Sequence, residues 1–191
     1  MFTVMTMFLD ILVLLIIALC LVQFIRAVIM RVLLIHKLKK ICKKRNYQIQ
    51  IHRWSLLSIL FKSSKVDLSV HTNDKIYHVR FLTSFSSKKV LHFVDECNYI
   101  SYLKTFIALP MATKISEHIN FATFHRFPTV EEKLQTNSND THVLLFNPTP
   151  NNITSIVDGT TTEIGNGTKI GTLVAYNGKG FCDMIDQLGC L

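Results

Sequence analysis

Between Asp10 and Asp67 the 191-residue chain contains no acidic residue. That absence rules out an even spread of the formal net charge of +8, because the same interval is rich in base. Arg26, Arg31, Lys37, Lys39, Lys40, Lys43, Lys44 and Arg45 all fall inside it. Of 21 Lys and Arg in all, these eight leave 13 to set against 13 Asp and Glu, so one short segment holds the whole excess. A nucleic-acid-binding domain carries its basic stripe on its folded surface. Here the stripe precedes the expected domain, and nucleic acid is not the expected partner.

Other absences narrow the chemistry. The five cysteines (Cys20, Cys42, Cys97, Cys182 and Cys190) are odd in number, scattered, and form no C-x-x-C pair. They outline neither a disulfide framework nor a zinc site, and reduced thiols agree with a cytoplasmic domain. No G-x-S-x-G or H-E-x-x-H pattern occurs. "GNGTKIG" (165–171) lacks the G-x-x-x-x-G-K-[ST] spacing of a phosphate loop and reads as a turn, with "NGKGF" as a helix cap. The eight histidines form no cluster along the sequence, so neither a metal nor another cofactor is expected. There is no internal repeat. Glycine is missing until Gly159, after which all seven occur by Gly189.

What the N-terminus does contain is apolar surface. "MFTVMTMFLDILVLLIIALCLVQFI" is interrupted by Thr3, Thr6, Asp10 and Gln23 alone. A helix of roughly 20 such residues crosses about 30 Å of hydrocarbon. No basic region precedes the run and no small-x-small cleavage pattern follows it, unlike a signal peptide. The expectation is one transmembrane helix over residues 1–30, centred near 7–29, followed by a basic juxtamembrane helix over 31–45. By the positive-inside rule the N-terminus is outside and residues 31–191 are cytoplasmic. Arg31, Lys37, Lys39, Lys40, Lys43, Lys44 and Arg45 are then the candidates for binding headgroups of an anionic leaflet, each contributing about 1 kcal/mol. Asp10 is expected at the outer edge of the span, and Cys42 between lysines at the membrane surface.

Residues 46–191 read as a single small α+β domain with a mainly antiparallel or mixed sheet and a few helices. "NYQIQIH" alternates as a strand, and "RWSLLSILFK" places Trp54, Leu57, Leu60 and Phe61 at helical spacing. "VDLSVHTNDKIYHVRFL" reads as a hairpin turning at Asn73-Asp74, residues that tolerate positive φ. It pairs Val70 with Tyr77, Leu68 with Val79, Ser69 with His78 and Asp67 with Arg80. One face is apolar and the other polar, as for a sheet with a single buried face. "VLHFVDE" gives a third strand, and "CNYISYLKTFIAL" fits strand or helix. Residues 111–141 are mixed, with a helix start in "TVEEKLQTNSND". "HVLLFNPTP" is a short buried strand, "ITSIVDGTTTEI" a hairpin at Asp158-Gly159, "KIGTLVAY" one more strand, and "GFCDMIDQL" a closing helix. These last strands are expected to complete the same sheet.

The Asp, turn, x-Val-x pattern of the hairpin resembles the core of the PD-(D/E)xK nuclease-like fold. That resemblance implies an Asp on one strand and an acid-x-Lys on its neighbour, gathered around a divalent metal. Asp67 matches the first acid, while His78 and Arg80 stand where the second acid and the lysine belong. These three are the catalytic candidates on that reading. Otherwise Asp67 and Arg80 are a cross-strand pair, worth about 0.2–1 kcal/mol. "VDLSVHTNDKIYHVRF", "LLFNPTP" and "GKGF" together are similar to uncharacterised single-pass membrane proteins of Gram-positive bacteria, a likeness that implies no activity. The leading expectation is a membrane-tethered, non-enzymatic binding or scaffolding module with membrane lipids and a protein as partners. A membrane-anchored nuclease-like domain comes second, and a small membrane-active protein third.

Overall fold

The computed structural model describes residues 2–52, 66–84, 89–95, 98–107, 116–126, 140–150, 152–157 and 160–188. The expected helix around Trp54, Leu57, Leu60 and Phe61, and nearly all of "TVEEKLQTNSND", lie outside them.

Helix α1 spans Phe2–Arg45 without a break. It contains no glycine or proline, the two residues that cost a helix interior most. Its end is built from the sequence: Asn46 takes the left-handed conformation at φ 58, and the Tyr47 N–H reaches back to the Cys42 carbonyl at 2.9 Å. This is a Schellman closure, with Cys42 and Tyr47 packed in the same core. Lys43, Lys44 and Arg45 crowd the negative pole of the helix.

The strands are β1 (Gln48–Ile51), β2 (Leu68–His71), β3 (Ile76–Leu82), β4 (Lys89–Phe93), β5 (Asn98–Ile107), β6 (Ser116–Arg126), β7 (Asp140–Phe146), β8 (Asn152–Val157), β9 (Thr160–Glu163), β10 (Thr168–Ile170) and β11 (Leu173–Asn177), followed by helix α2 (Gly178–Gln187). They form two sheets, β1-β2-β3-β7-β11-β10 and β6-β5-β4-β8-β9. The α+β class agrees with the sequence reading; the expectation that all the strands share one sheet does not. β4 is not a third strand beside the hairpin. It pairs in parallel with β8, while β3 pairs in parallel with β7 and β7 with β11. "CNYISYLKTFIAL" resolves as strand β5, and "KIGTLVAY" splits into β10 and β11 around Gly171, whose φ is 57.

The expected hairpin register holds: Leu68 pairs with Val79, Ser69 with His78 and Val70 with Tyr77. The turn differs in detail. Asn73 and Asp74 keep negative φ, and Thr72 closes the loop instead, its N–H and hydroxyl both donating to the Lys75 carbonyl at 2.9 and 2.8 Å. Farther along, β8 and β9 pair Val157 with Thr160, as a hairpin requires. The Asp158-Gly159 link between them lies outside the described residues.

The inner strands β2, β3 and β7 of the first sheet are buried on both faces, as the parallel β3–β7 pairing requires, while the edge strand β1 exposes Gln48 and Gln50. Leu68, Val70, Tyr77, Val79, Val143 and Leu145 pack against the helices. Leu34, Ile35, Leu38 and Cys42 supply the matching stripe of α1, and Phe181, Cys182 and Ile185 that of α2. Phe181 lies against Tyr77 and Tyr176, with ring centroids 6.3 and 5.8 Å away. On the opposite face Leu82, Leu144, Phe146 and Ala175 meet Leu91, Phe93, Tyr99 and Ile153 of the second sheet. Phe93 joins the layers, edge-on to Phe146 and stacked on Tyr99.

Candidate functional site

The basic segment divides by helical spacing. Ala27, Arg31, Leu34, Leu38 and Cys42 recur at intervals of three or four residues, and all five are buried. Arg31 is therefore on the inner face. Its guanidinium donates to the Asp67 carboxylate at 2.8 Å, with the two side chains 7 and 10% exposed, and it lies 4.2 Å above the Phe81 ring. This placement removes Arg31 from the headgroup-binding set, because its charge is neutralised inside the fold. Cys42 is likewise in the core and not at a surface, and burial raises its thiol pKa.

Three further basic residues meet α2. Arg45 donates to Asp186 at 2.9 Å, Lys44 approaches the same carboxylate at 3.6 Å, and Lys37 lies 3.8 Å from Asp183. The Arg45 hydrogen bond, aided by the Lys44 charge, holds the Asp186 carboxyl below its usual range. Lys39, Lys40 and Lys43 are exposed on the outer face. The N-terminal part of α1 is different again. From Leu9 to Val22 its large apolar residues are exposed around the whole helix, for example Leu14 at 65% and Val22 at 60%. The helix is long and apolar enough to span a membrane.

The hairpin candidates do not converge. Besides holding Arg31, the Asp67 carboxylate accepts the Phe81 N–H at 2.8 Å. Asp67 is thus the buried counter-ion of α1. His78 belongs to another group: its Nδ1 is 3.0 Å from Ser69 Oγ, which is 2.8 Å from His52 Nε2. His78 Nε2 lies 3.4 Å from Asp140, and its ring stacks on His142 at 5.3 Å. Arg80 is buried. The polar face of the hairpin is accordingly interior, contrary to the expectation of a single buried face, because the sheet continues through β7 and is covered on both sides. Burial, with the neighbouring His78 and Arg80, lowers the His142 pKa against the opposing pull of Asp140.

A serine, a histidine and a carboxylate in series invite a hydrolase reading, but Ser69 is only 1% exposed. A nucleophile must meet its substrate; this hydroxyl meets two imidazoles. Among the described residues no group of three or more His, Cys, Asp or Glu is placed to hold a metal ion. The two glycine-rich stretches also serve structure. Asn177 caps α2 by accepting the Gly180 N–H at 2.7 Å, and Asn166 accepts the Asn177 N–H at 2.8 Å.

Sequence reasoning misses the Arg31–Asp67 pair and the Asp140–His142 end of the polar seam. The first has a signal, since Arg31 is in register with the apolar stripe of α1. The second has none, because β3 and β7 are distant in sequence and their parallel pairing leaves no local mark. Comparison with protein-family models, with curated proteins and with solved structures finds no match.

Proposed function

We propose that this chain is a membrane-tethered binding or scaffolding module. On this reading α1 anchors it in a membrane with the N-terminus outside, and the folded domain is cytoplasmic and recruits a protein partner. One observation carries the anchor: a helix exposed and apolar all round over Leu9–Val22 continues unbroken into a face packed within the domain core. In water that surface is unfavourable by about 25 cal/mol per Å² of apolar area. Excess base at the domain end of the span supports the orientation. The burial of Ser69, His78 and Arg80 supports binding over turnover.

The test is a reporter fused to Leu191, combined with flotation of the full chain on liposomes. Reporter activity inside the cell and a chain that floats are expected. Activity confined to the exterior overturns the orientation, and a chain that stays at the bottom of the gradient overturns the anchor. Capture of the partner from solubilised membranes with the tagged chain then addresses the scaffolding role.

A further inference from the structure

We infer that the folded domain rests in the headgroup layer, with the ends of β3 and β11 and the start of α2 turned toward the phospholipid headgroups. This rests on the membrane anchor proposed above and adds a depth and an orientation to it.

The depth follows from the two sides of α1. Its inner face is already buried in the domain at Ala27, 1% exposed, and at Arg31. Its outer face is still apolar and open at Ile29, Met30, Val32 and Leu33, which are 41 to 59% exposed. Arg26 is exposed one turn before Ile29 on the same face, with a side chain long enough to reach the headgroups from within the span; after Leu33 the face turns polar throughout, with His36, Lys39, Lys40 and Lys43. At 1.5 Å per residue, the interval from Ala27 to Leu33 in which both conditions hold is about 9 Å long. The headgroup region of one leaflet is roughly 5–7 Å thick. A bilayer that covers the outer face as far as Leu33 therefore surrounds the near rim of the domain through the full headgroup depth.

Two contacts identify that rim. Arg31 holds Asp67 and lies over Phe81, near the end of β3. Leu34 packs against Gly178, at the end of β11 and the start of α2, so closely that a methyl group there would meet it at 3.2 Å. The ion pairs Lys37–Asp183 and Lys44–Asp186 show that α2 runs in the same direction as α1. The beginning of α2 is thus its membrane-side end, and Lys179 is exposed there. The Asn73-Asp74 turn precedes β3 and lies a whole strand away, about 20 Å for seven residues.

Lipid is favoured over a second copy as the cover of the outer face. That face continues the apolar surface of Leu9–Val22 and grades into base. It presents Ile, Met, Val and Leu, whereas close helix pairing in bilayers uses small residues.

The experiment places photoreactive benzoylphenylalanine at position 179, 74 or 33 of the full chain, in vesicles of phosphatidylcholine and phosphatidylglycerol. After flotation and illumination, lipid adducts are expected at 179 and 33 and not at 74. A floated chain that gives no lipid adduct at 179, or equal adducts at 179 and 74, overturns the orientation while leaving the anchor intact. Covalent dimers through position 33 in place of lipid adducts overturn the lipid assignment. A chain that does not float overturns the anchor, and the inference with it.

Discussion

Removing the Asp67 carboxylate separates a structural counter-ion from a surface pair. In Asp67→Ala the Arg31 guanidinium loses its 2.8 Å partner, and the Phe81 N–H loses its acceptor. Removing one member of a buried ion pair costs about 3–5 kcal/mol, because the desolvated charge of the other loses its closest compensation. Domain stabilities are about 5–15 kcal/mol, so a large fraction of the total is lost. With a urea dependence of about 2 kcal/mol per molar, the unfolding midpoint falls by roughly 1.5–2.5 M. The assay is urea titration of the full chain in detergent, followed by circular dichroism. Arg31→Met combined with Asp67→Asn removes the buried charge and keeps an acceptor for Phe81, so it recovers most of the loss. A cost below about 1 kcal/mol for Asp67→Ala, the size of an exposed cross-strand pair, contradicts the counter-ion role. So does a double variant no more stable than the single one.

Leu38→Ala, at a position fully buried between α1 and the sheet, lowers stability in the same titration by about 2–5 kcal/mol, whereas Leu14→Ala leaves the domain transition unchanged. His142 has a lowered pKa in the fold, so the unfolded chain takes up the proton first. Its contribution is present above about pH 6.5 and is lost as the pH falls from there toward the folded value; His142→Gln removes that part of the slope when midpoints are compared across this window. The Cys182 thiol is buried and its pKa is pushed up to about 11, so maleimide modifies Cys182 only after denaturant is added, as peptide mass mapping will show. Asn177→Ala removes the α2 cap and costs about 0.5–2 kcal/mol in the urea midpoint.

The parts of the fold legible in the sequence are those set by local spacing. The register of β2 and β3 follows from alternation about a turn, and a slip of one residue would turn every side chain to the wrong face. The division into two sheets leaves no such trace. "VLHFVDE" has the composition of a strand, but nothing in it selects β8 as its parallel neighbour over β3. The same limit applies to the candidate site. Asp67, His78 and Arg80 are close along the hairpin, and pattern groups them, yet α1 takes the first while β7 engages the second.

The apolar run, the acid-free basic segment after it, and the α+β alternation of the remainder can all be read from residue order, since each depends on composition or on a period of a few residues. The register of Arg31 with the apolar stripe of α1 marks it as an inner-face residue, but what neutralises it there emerges only when the chain is packed. Burial of a charge depends on what covers it, and for Arg31 the cover is a carboxylate 36 positions later in the chain, brought there by the packing of α1 across the sheet.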